Sequence, residues 1–235
     1  MGGLGVDSIG LGSPLANRAR SKRDALSEFS SRDYWQSRYA EGKHSGAGSY
    51  GQLALFKANV INSLLAELSV SSLIDWGVGD GNQLQLLNVP RYVGIDVSET
   101  VVDRLRVKHA GNTSMEFWLD SDWPREEKCD LSLSSDVIYH LVEDAVFEEY
   151  MSRLFASAER YVLVYASNFE DGTVSSSRAT HVRHRKFTDF VAQRYGLNWE
   201  LVREIPNLFP YRDGLRQTSL ADFFLYARTS RIGES

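Results

Sequence analysis

Residues 72–83 read Ser72-Leu73-Ile74-Asp75-Trp76-Gly77-Val78-Gly79-Asp80-Gly81-Asn82-Gln83. A short apolar run ends in an acid, passes directly into alternating glycines, and enters residues 82–87, where a helix is expected. Glycines at such a turn let the backbone approach a ligand closely, and a helix N-terminus adds favourable dipoles. A dinucleotide fingerprint needs its third glycine five residues after the first. Asn82 stands there, so G-x-G-x-x-G fails. An acid ahead of the first glycine suits a ligand that carries an ammonium group.

Working outward, short β-branched runs alternate with helical patterns. Strands are expected at residues 72–76, 92–97, 115–119, 130–134 and 161–166. Helices are expected at 82–87, 99–109, 144–158 and 188–195, with Ser98 and Thr188 as N-caps of two of them. This alternation predicts an α/β fold, a mostly parallel sheet with helices on both faces. Two further strands, 199–205 and 220–227, have only a loop with Pro206 and Pro210 between them, which predicts an antiparallel excursion at the end. Upstream, helix begins near Ser31, residues 42–51 form a Gly/Ser-rich loop, and Leu53, Phe56, Val60, Leu64 and Leu68 recur at helical spacing. Residues 1–28 read as a flexible arm and 29–230 as one domain: a helical lid region (31–69), a ligand-binding core (70–166) and an acceptor loop (167–187).

With 235 residues and 43% hydrophobic content, the chain can bury a core without metal or disulfide staples. Its single cysteine, Cys129, excludes an intrachain disulfide and points to a reducing, cytoplasmic setting. A net charge of −5 argues against a nucleic-acid partner, which a basic excess would serve. No apolar run reaches the roughly 20 residues that span a bilayer, so no membrane role is expected.

Asp75-x-Gly77-x-Gly79-x-Gly81 resembles the first motif of the class I S-adenosylmethionine-dependent methyltransferases. The resemblance extends in order through residues 70–166. It implies a Rossmann-like, seven-stranded, mostly parallel sheet whose last strand is antiparallel. It also implies that Gly77, Gly79 and Gly81 pack against the methionine portion and ribose of S-adenosyl-L-methionine, with Asp75 near the amino group. Asp96, ending Tyr92-Val-Gly-Ile-Asp96, would accept the ribose hydroxyls. Asp120, with Ser121 beside it, would hold the adenine amine, and Ser135 would end the fourth motif facing the methyl group.

Methyl transfer is an in-line displacement in which the protein mainly positions the acceptor, and a base helps where the acceptor is an alcohol. His140, just past the fourth motif, is the first candidate base, because histidine titrates near neutrality. The alternative is a histidine that caps or packs the next helix. Asp136 would orient it, line the cofactor pocket or, with His140, join a divalent metal such as magnesium, although no compact ligand spacing supports a metal. Tyr50, Tyr139, His181, Arg183 and His184 are the candidate acceptor contacts. Tyr50 belongs to a glycine-rich lid, and the last three (with Arg178) lie in a basic loop that would otherwise be merely solvated.

Four segments, Tyr34-Trp-Gln-Ser-Arg-Tyr39, Ser45–Gly51, Asp136–Asp144 and His181–Arg185, resemble small bacterial O-methyltransferases of glycan synthesis, including those that 1-O-methylate mannosides of methylmannose polysaccharide. That likeness implies a small-molecule or oligosaccharide acceptor, and a homodimer is one arrangement open to the chain. Three other readings compete. Amine methylation of nucleic acid or protein lacks its Asn/Asp-Pro-Pro-aromatic run, since Asp136-Val-Ile-Tyr139 stands there. A nicotinamide oxidoreductase is disfavoured by Asn82, and a non-catalytic subunit by the intact glycines and Asp96.

Overall fold

The computed structural model describes residues 29–124, 126–172 and 179–229. The arm at 1–28 and Arg178 therefore lie outside the described residues. In chain order the elements are α1 (Ser31–Ala40), α2 (Gly51–Glu67), β1 (Ser72–Trp76), β2 (Arg91–Asp96), α3 (Glu99–Lys108), β3 (Met115–Leu119), β4 (Cys129–Ser135), α4 (Asp144–Ala156), β5 (Ala158–Ala166), α5 (Phe187–Tyr195), β6 (Trp199–Ile205) and β7 (Asp222–Arg228). Three 3-10 turns, Ala47–Ser49, Leu84–Leu86 and Ile138–His140, connect them.

One seven-stranded sheet has the order β3-β2-β1-β4-β5-β7-β6. The first five strands pair in parallel, and β7 runs antiparallel to both β5 and β6. Alternation along β1 divides the core between two faces. Leu73 joins Ile61 and Leu64 of α2 and Val101, Val102 and Leu105 of α3 on one side. Ile74 and Trp76 join Phe147, Met151 and Leu154 of α4 and Phe187 and Val191 of α5 on the other. Because β1 is buried on both faces, it reads in the sequence as a continuous apolar run up to Asp75. The order reverses between β1 and β4, and ligands bind beyond the carboxyl ends of strands at such a switch point.

Several expectations need correction. Residues 82–87 do not form a helix: only Leu84–Leu86 turn, as 3-10. Asn82 Nδ2 donates to Ser49 O at 2.6 Å and Gln83 Nε2 to Ala54 O at 3.1 Å, so tertiary partners hold these residues instead of a helical ladder. Thr188 is not a cap, since α5 starts at Phe187 and the Thr188 hydroxyl donates to Asn168 Oδ1. Ser98 occupies the cap position of α3 without a side-chain bond. β5 begins at Ala158, where it pairs with Cys129, so α4 ends two residues earlier than its pattern suggests. The Gly/Ser-rich loop contains the Ala47–Ser49 turn, and its last glycine, Gly51, opens α2.

Candidate functional site

The carboxyl ends of β1, β2 and β4 converge on a cavity of about 270 Å³. Its wall includes Asp75, Gly77, Asp96, Asp120, Ser135, Asp136 and His140, with Ser31, Arg32, Trp35 and Tyr39 of α1 lying across it. A second cavity of about 240 Å³ adjoins it, lined by Tyr34, Trp35, Arg38, Tyr139, His181 and the Gly46–Ser49 backbone. Asp136 and His140 line both cavities.

The first cavity is built around buried acids. Asp75 accepts the Tyr92 hydroxyl at 2.6 Å, and burial pushes its pKa up to about 6. Asp96 accepts Gly79 N–H at 2.9 Å on one oxygen and Ser98 N–H at 3.0 Å on the other. Burial raises it to about 6 as well, because two backbone donors only partly offset the lost hydration. Asp80, unremarked in the motif, ties the glycine turn to the upstream loop: its carboxylate accepts Ser45 N–H and the Tyr50 hydroxyl, both at 2.8 Å.

A nucleoside-bearing ammonium ligand fits these residues. Gly79 has φ +57, and a Cβ there would come within 2.3 Å of Ser45 Oγ, so the turn closes only over glycine. Asp120 Oδ2 takes Arg32 at 2.6 Å, while Asp120 Oδ1 is buried without a partner. An acceptor left unpaired in such a place suits a ligand donor, as an exocyclic amine would provide. Ser121 is exposed and bonded to Asp122, away from the cavity wall.

At the junction, Asp136 follows β4 directly with φ +60, a left-handed conformation uncommon outside glycine and asparagine. Its carboxylate accepts Lys57 Nζ at 2.5 Å and the Tyr139 hydroxyl at 2.7 Å. His140 Nδ1 lies 3.0 Å from His181 O. A carbonyl can only accept, so Nδ1 carries the proton and Nε2 keeps its lone pair. Burial pushes His140 down to about 4, holding the ring neutral at physiological pH. The imidazole is braced by Trp35, Tyr139 and a stack on His181, which itself stacks on Tyr34.

The remaining candidates are placed elsewhere. Tyr50 is bonded to Asp80 and contacts His44, and lines neither cavity. Arg183 grips Val142 O and Asp144 at 2.9 Å each. His184 is buried against Ser167 Oγ at 2.7 Å. Among the described residues, no group of three or more His, Cys, Asp or Glu side chains gathers around one point for a metal ion. No helix among them is long and apolar enough to cross a membrane.

Sequence reading passed over Lys57, Tyr92 and Arg32. Lys57 was detectable, because it stands four residues from both Leu53 and Ile61 on the apolar side of α2. Tyr92 and Arg32 carry no local signal, since their partners lie 17 and 88 residues away.

No protein-family model matches the chain, and no curated protein matches it. Solved structures do. It is similar to magnesium protoporphyrin IX methyltransferase from Synechocystis PCC 6803 with bound S-adenosylhomocysteine, at 16% identity over 84% of this chain and 98% of that one, TM-score 0.59. It is also similar to the methyltransferase domain of a bacterial Hen1, at 19% identity over 73% and 96%, TM-score 0.56. The N-methyltransferase NodS from Bradyrhizobium japonicum WM9 in complex with S-adenosylhomocysteine aligns at 14% identity over 74% and 86%, TM-score 0.56. With its sheet order, its glycine turn and these neighbours, the chain has the Rossmann-like fold of the class I S-adenosylmethionine-dependent methyltransferases.

Proposed function

We propose that the protein is an S-adenosylmethionine-dependent O-methyltransferase whose acceptor is a hydroxyl of a small saccharide, with the 1-OH of a methylated mannoside as the specific case. The observation that carries this reading is the wall shared by the two cavities, where Asp136 and His140 face both. The larger cavity suits the donor. Asp75 would hold its amino group, Asp96 the ribose, Asp120 the adenine amine, and the Gly77–Gly81 turn its length. S-adenosylmethionine supplies a methyl group activated by a sulfonium.

The second cavity offers what a sugar ring uses, aromatic faces from Tyr34, Trp35 and Tyr139 beside the polar groups Arg38 and Asp136. His140 Nε2 accepts the proton of the hydroxyl. An alcohol oxygen becomes strongly acidic only as its new bond forms, so a base with a pKa near 4 is sufficient. The low value also keeps the ring uncharged beside a cationic donor. Asp136 stands beside this base, fixed by Lys57 and Tyr139. The neighbours' own names include a porphyrin methyltransferase and an N-methyltransferase, so the acceptor rests on this chain's second cavity and the glycan-enzyme resemblance.

The test is calorimetric titration with S-adenosylhomocysteine, with and without magnesium, followed by labelled-methyl transfer to mannosides and methylated mannosides. Micromolar binding and methylation of a sugar hydroxyl are expected. Dependence on magnesium would add a metal at Asp136 and His140. Absence of binding in both conditions removes the donor assignment, and binding without any sugar methylation removes the acceptor assignment.

A further inference from the structure

Lys57 is the one buried lysine among the described residues, 1% exposed. An ammonium on the apolar face of a helix is costly to desolvate and needs a reason to be there. Nζ lies 2.5 Å from Asp136 Oδ2 and 3.3 Å from Ser135 Oγ, and 5.4 Å from the centre of the Tyr165 ring. The pair is closely enclosed, because a Cβ at Gly48 would sit 2.8 Å from Asp136 Oδ2. Both members line the larger cavity together with Asp75 and Asp96, and the Lys57 charge also reaches Asp75, although at no ion-pair distance.

We infer that Lys57 is a specificity-determining residue: by cancelling the field of Asp136, it sets how strongly the larger cavity prefers a cationic ligand over a neutral one of the same shape. The inference rests on the reading of that cavity as the site of S-adenosylmethionine. Donor and spent product differ by one methyl group and one positive charge. An uncancelled Asp136 on the wall holds the charged donor more tightly as a ground state, which adds to the barrier of the reaction, and Lys57 removes that excess. Ser135 and Tyr139 alone, being neutral, leave the carboxylate's field in place.

The experiment is calorimetry of the full chain with S-adenosylmethionine and, separately, S-adenosylhomocysteine, on wild type, Lys57→Met, Asp136→Asn and the double variant. Lys57→Met is expected to move the affinity ratio toward S-adenosylmethionine by about tenfold, and Asp136→Asn toward S-adenosylhomocysteine by a similar factor. The double variant, a neutral pair of similar shape, returns the ratio to within about twofold of wild type. Asparagine tolerates the left-handed backbone at 136, so Asp136→Asn carries the test even if Lys57→Met does not fold. A purely structural pair would weaken both ligands by one factor and leave the ratio unmoved, which overturns the inference. A wild-type chain that binds neither ligand overturns the cavity reading and the inference with it.

Discussion

Arg32 of α1 donates to Asp120 Oδ2 at 2.6 Å, fastening α1 to the residue after β3 along the wall of the larger cavity. Ser31 makes a second tie through Glu143, donating its backbone N–H at 2.8 Å. Little of α1 is held by apolar burial, since Ser31 and Tyr39 are its only buried residues. These polar ties act together with the aromatic contacts of Tyr34, Trp35 and Tyr39 in keeping it over the cavity. Arg32→Ala is expected to cost less than about 1 kcal/mol in stability, because an ion pair whose arginine is largely solvated contributes little. Dissociation of S-adenosylhomocysteine should nevertheless quicken several-fold in stopped-flow measurements, and an unchanged rate would separate α1 from ligand retention.

Asp96 bonds Gly79 and Ser98 at once, so it shapes the glycine turn as well as facing the cavity. Asp96→Ala leaves two buried N–H groups unpaired, at about 1–3 kcal/mol each. Both the urea midpoint and S-adenosylhomocysteine affinity should fall. If affinity held while stability dropped, the carboxylate would be structural only.

Asp75 titrates near pH 6 because burial disfavours its charged form. An ammonium ligand needs that charge, so affinity for S-adenosylhomocysteine should decline as pH falls below about 6, by up to tenfold per unit. Asp75→Asn should bind weakly and with a flatter profile. A wild-type profile as flat as the variant's would detach Asp75 from the amino group.

His140→Ala should retain S-adenosylhomocysteine binding and lose about 10²- to 10⁴-fold in turnover. Stability offers an independent check. Burial lowers the folded pKa to about 4 from an unfolded value near 6.5, so the unfolded chain binds the extra proton first. Wild-type stability contributed by the neutral ring is present above pH 6.5 and is lost on acidification toward pH 4, a loss of about 3 kcal/mol at most. Asp75 and Asp96 work in the opposite direction over pH 4–6, so the difference between wild type and His140→Ala is the quantity to measure. An identical slope in both proteins would mean that the ring is not buried neutral.

Gly79→Ala places a methyl against Ser45 Oγ and Tyr39 Oη at a backbone angle that alanine resists. Thermal unfolding should shift down by several degrees and S-adenosylhomocysteine binding should be lost. An alanine variant with wild-type affinity would show that the turn can open without consequence.

The central strands were legible because burial on both faces leaves a run of apolar residues that no other element needs, as in β1, where the expected and observed limits coincide. The stretch after Gly81 was not, because Asn82 and Gln83 are claimed by Ser49 and Ala54, some thirty residues upstream. At the site, the glycines and acids stand in local order along the strand ends, so they could be named from the family resemblance. What sets their electrostatics could not: Lys57 meets Asp136 from 79 residues away, and Tyr92 meets Asp75 only because β2 pairs beside β1. Arg183 and His184 show the converse, residues of plausible chemistry that also bond within the fold, to Val142 O and Ser167 Oγ.

The position of β7 bears on how the chain matures. It follows every other described strand in sequence, yet it lies between β5 and β6. Until residue 228 has left the ribosome, both of those strands present open hydrogen-bonding edges, and Phe223 and Leu225 are missing from the layer beneath α2. The sheet is thus completed only once β7 is free to insert between β5 and β6. A stalled or nicked chain lacking these residues offers two sticky edges to its neighbours and should become a client of holdase chaperones.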